Sequence, residues 1–90
     1  MKKLTIKHMK HIPKDLEEGI LYVSLEYETA QHLCPCGCKG RVVTPLGKGG
    51  WEYKENVHGV TLRPSIGNWN GEKPNYHAHY FITDSHIIWC

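Results

Sequence analysis

The sequence predicts an all-β fold, in the form of a small antiparallel sheet domain with little or no helix. Short segments of the chain alternate apolar and polar residues, as strands do, and no helical segment of useful length is apparent. The chain has 90 residues, a size at which the apolar core is small and a further stabilising element is often needed. Three of the four cysteines lie within five residues and could bind such an element, a metal ion. We therefore interpret residues 1–90 as a single metal-stabilised β domain.

The first half of the chain contains three segments with strand character. Residues 4–9 alternate weakly, whereas residues 20–27 are rich in β-branched and aromatic side chains and alternate throughout. Between them, residues 13–19 have the composition of a turn that ends at a glycine. Residues 41–46 follow the cysteine cluster and end at a proline and several glycines. A strand, a cysteine-bearing turn and a second strand make up the arrangement of a zinc knuckle.

The second half of the chain predicts two hairpins joined by a loop. The first hairpin turns at residues 55–59, and the second turns at Asp84 and Ser85. Between the hairpins, residues 64–71 are rich in Pro, Gly, Ser and Asn, and we interpret them as an elaborate loop. The four predicted strands are residues 51–54, 60–63, 79–83 and 86–89.

The cysteine cluster indicates a metal site rather than a disulfide. Cys34, Cys36 and Cys38 are two residues apart, a spacing poorly suited to the separation and torsion that a disulfide demands. Pro35 and Gly37 favour a tight turn, on which several thiolates can converge on one ion. Zn²⁺ takes Cys and His ligands in a tetrahedral arrangement, so we predict a Zn²⁺ site that includes these three thiolates.

A tetrahedral site needs a fourth ligand, for which histidine is the natural candidate. His77 and His79 lie together much later in the chain, and His32 lies just before the cysteines. We expect either His77 or His79 to complete the site, with His32 as a reserve ligand. The alternative for the later pair is an ordinary strand, in which residues two apart share one face of a sheet.

Composition and charge narrow the functional classes. The net charge is +2, and the lysines cluster near the N-terminus while the aromatic residues lie elsewhere, which does not favour nucleic-acid binding. The first residues lack the apolar segment of a signal peptide, and no apolar run is long enough to span a membrane. Clustered cysteines in such a chain are typical of metal sites in the reducing cytosol, so we expect a cytoplasmic protein.

Ser65 is the candidate nucleophile in a second set of polar residues. It lies beside Pro64, Gly67 and Asn68, and turns of this composition can expose a hydroxyl and direct backbone N–H groups at an oxyanion. A serine nucleophile needs a base within hydrogen-bonding reach, and His79 is the natural candidate. Asn68 could orient that imidazole or donate to the oxyanion. The alternative is an ordinary turn, in which the Ser and Asn side chains satisfy their own backbone.

Four blocks of the sequence, taken in order, carry a family resemblance. They are Cys34-Pro35-Cys36-Gly37-Cys38, Val43-Thr44-Pro45-Leu46, Pro64-Ser65-Ile66-Gly67-Asn68-Trp69 and His79-Tyr80-Phe81-Ile82. Together they resemble, over residues 20–90, a prokaryotic family of zinc-binding domains of unknown function. That family is associated with bacterial operons for ubiquitin-like proteins and their activating and conjugating enzymes. The resemblance therefore implies a peptidase that trims or removes the modifier, with a ubiquitin-like protein or its conjugate as the protein partner.

The same resemblance bears on the fourth metal ligand. Relatives carry a cysteine a few residues before the His-Tyr-Phe block, where this chain has His77. The resemblance thus implies His77 as the fourth zinc ligand, which leaves His79 available as the base.

Two other functions stay open on the sequence. A zinc ion with an open position could activate water, but three thiolates donate so much charge that the ion becomes a poor Lewis acid. A non-catalytic adaptor of the same pathway is also open, since zinc-stabilised β domains serve as binding modules and the chain is rich in aromatic residues. We favour a small hydrolase with Ser65 as nucleophile and a structural zinc ion.

Overall fold

The structure is a computed structural model, which describes residues 3–35, 40–69 and 76–89. These residues form eight strands and no helix, so the prediction of an all-β fold is confirmed. Accordingly, the described residues offer no helix long and apolar enough to cross a membrane. The strands are β1 (Thr5–His8), β2 (Ile20–Ser24), β3 (Thr29–Leu33), β4 (Arg41–Pro45), β5 (Glu52–Asn56), β6 (Gly59–Trp69), β7 (Tyr76–Thr83) and β8 (His86–Trp89).

The first four strands form one sheet in the order β1-β2-β3-β4. The most clearly predicted strand, β2, ends at Ser24 because the chain reverses over residues 25–28, where Glu28 has a φ of +50°. The returning strand β3 was not predicted, and it pairs antiparallel with both β2 and β4. At the edge, β1 pairs parallel with β2, because residues 9–19 return the chain to the same end of the sheet. The expectation of a purely antiparallel sheet was wrong for this edge strand.

The last four strands form a second sheet in the order β5-β6-β7-β8, and all its pairings are antiparallel. Both predicted hairpins are present. The first turns more tightly than expected, since Asn56 is already paired with Gly59. The chain thus makes two sheets of four strands instead of the one sheet that the sequence suggested.

The loop predicted for residues 64–71 was wrong as far as Trp69, because β6 continues to that residue beside β7. The last two residues of that predicted loop lie outside the described part of the chain. Pro64 has no N–H to donate to a strand ladder, and the register of β6 against β7 shifts between Leu62 and Ile66, around this proline. Ser65 therefore lies on a bulged strand and not on a loop.

The two sheets share one apolar core. Buried residues of both sheets, such as Leu21 and Val23 in β2 and Leu62 and Ile82 in the second sheet, belong to a single cluster. Full burial of such a side chain stabilises the fold by about 1.5–3 kcal/mol. The N-terminal segment also ties the sheets together, since the N–H of Leu4 donates to the carbonyl of Ser85 at 2.6 Å.

The turn between β7 and β8 is held by the buried Ser85. Asp84 and Ser85 adopt φ values of +49° and +66°, which suit the tight turn of a hairpin. The Ser85 hydroxyl accepts a hydrogen bond from the N–H of Val60 at 2.9 Å, and the N–H of Ser85 donates to the carbonyl of Val60 at 2.8 Å. These bonds fix the turn against the beginning of β6.

Candidate active site

Ser65 and His79 lie diagonally across from each other on two neighbouring strands. Ser65 lies on β6, His79 lies on β7, and Ser65 Oγ is 2.7 Å from His79 Nε2. This is the hydrogen-bonding distance that a serine nucleophile and its base require. The strand register explains the contact, because Ile66 is paired with Tyr80 and Gly67 with His79. The structure therefore brings the two residues together, while their catalytic role stays a prediction.

The pair lies on the outer face of the second sheet. Side chains alternate between the two faces of a strand. Ile66 and Tyr80, the chain neighbours of Ser65 and His79, are 1% and 0% exposed and point into the core. Ser65 and His79 are only partly buried. A substrate laid on the outer face could thus reach Ser65 without entering the core.

Arg63 and Phe81 form a neighbouring feature that sequence reasoning missed. The guanidinium carbon of Arg63 lies 4.9 Å from the centroid of the Phe81 ring, an arrangement stabilised by cation–π attraction. The guanidinium also donates to the carbonyl of Ile82 at 3.2 Å and to the hydroxyl of Thr83 at 2.9 Å. Phe81 is two residues after His79 on β7, so the two share the outer face. The two-residue spacing of His79 and Phe81 is the feature of the sequence from which this shared face could be predicted.

Asn68 was the third predicted member of the catalytic set. Its backbone pairs with Ala78 of β7, but its side chain lies outside the described part of the chain. Asp84, an acidic residue at the end of β7, makes turn contacts. Its N–H donates to the hydroxyl of Thr61 at 2.9 Å, and its Oδ1 lies 3.5 Å from the same hydroxyl oxygen.

The cysteine-bearing turn joins β3 to β4. The last strand pair before it is Leu33 with Arg41, and the N–H of Cys34 donates to the carbonyl of Gly40 at 2.8 Å. The side chain of Cys34 is buried and belongs to the core cluster. The two ends of the turn are therefore held together directly beside the core.

Three of the four predicted zinc ligands are not placed by the structure. Cys36 and Cys38 lie within residues 36–39, outside the described part of the chain, and the same holds for the side chain of His77. Among the residues that the structure describes, no group of three metal-binding side chains is found. The zinc site and its ligand set stay a prediction.

His32 is the candidate ligand whose surroundings are described most fully. It is fully buried on β3, and its Nε2 lies 2.7 Å from the hydroxyl oxygen of Tyr80, which links the two sheets. Burial lowers the pKa of His32 to about 4, so the imidazole is neutral near pH 7. Within the described residues, His32 Nδ1 has no hydrogen-bond partner. A buried neutral imidazole two residues before the first of three clustered cysteines in the sequence fits the donor set that Zn²⁺ prefers.

Comparison with known proteins relates the chain to a described protein family. The model of a family described as "Bacterial ubiquitination-like system serine protease (BubE)" matches residues 8–90. No curated protein and no solved structure matches the chain.

Proposed function

Since this chain belongs to the BubE family of serine proteases from bacterial ubiquitination-like systems, we propose that it is a peptidase acting on a bacterial ubiquitin-like protein. Its task would be to process that protein or to remove it from conjugates. The observation that carries this proposal is the distance of 2.7 Å between Ser65 Oγ and His79 Nε2. Both the modifier and its conjugates are protein partners, and we expect the reaction to take place in the cytoplasm.

The chemistry follows from the pair. Ser65 Oγ attacks the carbonyl carbon of the scissile peptide bond while His79 Nε2 takes the hydroxyl proton. The carbon–nitrogen bond then breaks, and His79 returns the proton to the leaving amine, which leaves an ester on Ser65. In the second half, His79 takes a proton from water as that water attacks the carbonyl carbon of the ester. The bond between this carbon and Ser65 Oγ then breaks, His79 returns the proton to Oγ, and the product leaves as a carboxylic acid that ionises in solution. We assign Asn68 to orienting the imidazole or to donating to the oxyanion.

We further propose that the cysteine-bearing turn binds a structural Zn²⁺ ion through Cys34, Cys36, Cys38 and one histidine, for which the sequence predicts His77. Two observations on Cys34 support this proposal: its side chain is buried, and its backbone closes the turn against Gly40. The ion would supply rigidity to a domain with a small core. Three thiolates leave it little Lewis acidity, so the bond-breaking chemistry falls to Ser65 and His79.

The test combines substrate cleavage with labelling of the serine. The substrate is a ubiquitin-like protein from such a system with a C-terminal extension, and cleavage is followed by mass spectrometry. We expect cleavage by the wild type and covalent labelling of Ser65 by a fluorophosphonate. In Ser65→Ala, both should be lost, with a fall in kcat/KM of at least about 10³-fold. His58→Ala removes an exposed histidine in the β5–β6 turn. It is the matched control for loss of His79, and we expect it to cleave the substrate normally.

Zinc content is measured in every variant, so that the outcomes can be told apart. Equal cleavage by the wild type and Ser65→Ala would indicate that the metal ion, and not Ser65, brings about cleavage of the peptide bond. Failure of the wild type to cleave or to take the label, with zinc bound and the fold intact, would favour the adaptor function.

A further inference from the structure

One nitrogen of the buried His32 imidazole has a hydrogen-bond partner, and the other has none among the described residues. Its Nε2 lies 2.7 Å from the Tyr80 hydroxyl, and the two rings meet edge to face with centroids 5.9 Å apart. Its Nδ1 has less than 1 Å² of accessible surface and no hydrogen-bond partner among the described residues. Buried polar atoms in folded proteins nearly always have a partner, and each exception calls for an explanation.

The position of His32 on the chain supplies such an explanation. Ala30, His32 and Cys34 are all buried, whereas Gln31 and Leu33 between them are only partly buried. Alternation along the strand therefore puts the side chains of His32 and Cys34 on the same inner face. Cys34 is also the residue at which the cysteine-bearing turn begins, with its N–H bonded to Gly40. The unpartnered nitrogen and the first thiol of the turn are thus neighbours on one buried surface.

The contact with Tyr80 supplies what a metal-bound histidine needs at its second nitrogen, an oxygen that can accept a hydrogen bond. A neutral imidazole carries one proton, and a ligating nitrogen must be the one without it. When Nδ1 binds a metal ion, Nε2 carries the proton and donates it to an oxygen, a contact that fixes the orientation of the ring. The Tyr80 hydroxyl oxygen lies where this acceptor is needed.

We propose that His32, through Nδ1, is the histidine ligand of the metal ion bound at Cys34, in place of the sequence-predicted His77. This inference rests on the proposed zinc site and names its fourth ligand. Tyr80 is then a positioning residue, since its hydroxyl holds the ligating ring. Because Tyr80 is the chain neighbour of His79, the metal ion is joined through His32 and Tyr80 to the strand that carries the base.

The direct test is NMR of the full chain loaded with cadmium, a spectroscopically visible substitute for zinc. We expect a scalar coupling between cadmium and the ring protons of His32, and nitrogen shifts that identify Nδ1 as the bound atom and Nε2 as protonated. Coupling to His77, or to no histidine, would overturn the assignment. Because this measurement uses the wild type, it does not depend on whether a variant folds.

Variants supply a second readout, the affinity for Co²⁺ measured by chelator competition and by the visible absorption of the bound ion. His32→Gln can keep a polar group near Tyr80 but lacks the Nδ1 donor, whereas His77→Gln is the matched control. We expect Tyr80→Phe to lower the affinity for Co²⁺ by about 10- to 100-fold, as is typical when an outer-shell partner is lost. His32→Gln should lower that affinity further. His77→Gln should retain the affinity and the spectrum of the wild type. The reverse ranking of the two histidine variants would contradict the proposal.

The failure of this proposal can be told apart from that of the proposed peptidase. A wild type that binds no Co²⁺ or cadmium overturns both the zinc site and the role of His32. It leaves the serine chemistry untouched, because Ser65→Ala and fluorophosphonate labelling test that chemistry independently. Conversely, Ser65→Ala should bind metal as the wild type does, whatever its activity.

Discussion

His79 and Tyr80 are neighbours on β7 whose side chains leave the sheet on opposite faces. His79 reaches Ser65 on the outer face at 2.7 Å, and Tyr80 reaches His32 in the core at the same distance. One short piece of strand therefore carries both the candidate base and a buried polar link between the sheets.

Replacing His79 tests whether it acts with Ser65 as a unit. We expect His79→Ala to lower kcat/KM of the peptidase reaction by at least about 10³-fold, and the Ser65→Ala/His79→Ala double variant to be no worse than Ser65→Ala alone. The reason is that a base has nothing to deprotonate once the serine hydroxyl is gone. Single-turnover kinetics on the four proteins of this cycle provide the measurement. Losses that multiply in the double variant would show that the two residues act separately.

The buried contact of Tyr80 with His32 should contribute measurably to stability. Tyr80→Phe removes the hydroxyl and leaves His32 Nε2 without its partner, which should lower the free energy of unfolding by about 1–3 kcal/mol. Urea unfolding at a fixed saturating level of metal measures the change. The matched control is Tyr27→Phe, at a tyrosine that is 55% exposed, and it should change the free energy very little. Equal effects of the two substitutions would contradict a stabilising role for the buried contact.

Any side chain at position 59, which is a glycine, should destabilise the fold. A Cβ atom there would lie 2.2 Å from Ser85 Oγ, and the φ of +132° is itself unfavourable for other residues. Gly19 provides the control, because its φ of +80° is also positive but no atom lies within 4 Å of an added Cβ. We expect Gly19→Ala to cost about 1–2 kcal/mol and Gly59→Ala to cost a further 1–3 kcal/mol or so from crowding. Thermal unfolding measures the loss of stability in each of the two variants. Equal losses would mean that the structure shifts to relieve the crowding at residue 59.

Glu55 should make the fold sensitive to acid. The Tyr53 hydroxyl donates to Glu55 Oε1 at 2.6 Å and His8 Nε2 lies 3.0 Å from the same oxygen, and these contacts lower the pKa of the Glu55 carboxyl. A lowered folded-state pKa stabilises the fold above the unfolded-state pKa, and this contribution disappears as pH falls through the folded-state value. Since the pair is partly exposed, we expect Tyr53→Phe to cost under about 1 kcal/mol at pH 7.

The signature of this contact is its pH dependence. The difference in melting temperature between the wild type and Tyr53→Phe should shrink as the pH is lowered from 7 through the lowered folded-state pKa of Glu55, below which the carboxyl is protonated in both states. Glu55→Gln should show no such change when it is combined with Tyr53→Phe, since no titrating carboxyl is left. A difference that stays constant over this pH range would exclude the carboxylate as the cause.

Much of the strand pattern could be predicted from local sequence, and the sheet partners could not. The segment around Leu21 and Val23 and the hairpin at Asp84 and Ser85 show alternation and turn chemistry that act over a few residues. The sequence predicts a loop for the strand containing Ser65, because Pro, Ser, Gly and Asn are turn residues. Pairing with β7 makes that segment a strand, and such pairing between separate segments leaves no local trace.

The candidate site, like the fold, could be predicted from the sequence only in part. Ser65 and His79 could be singled out by residue type, but only the register of β6 against β7 brings their side chains into contact. The burial of His32 was not visible, because its neighbours Thr29 and Gln31 are polar and gave no reason to expect a strand with a buried face. From the sequence alone, His32 is therefore predicted only as a reserve ligand.

The strand order follows the chain order in both sheets, with one sheet made from residues 5–45 and the other from residues 52–89. A cut in the connecting residues 46–51 would thus leave every pairing between neighbouring strands intact. The two pieces would be held together by the shared apolar core and by contacts between the sheets, such as those of Leu4 with Ser85 and of His32 with Tyr80. Each fragment would expose a complete apolar face that fits the other. The molecule is in this sense already divided for fragment complementation, with the cysteine-bearing turn on one piece and the Ser65–His79 pair on the other.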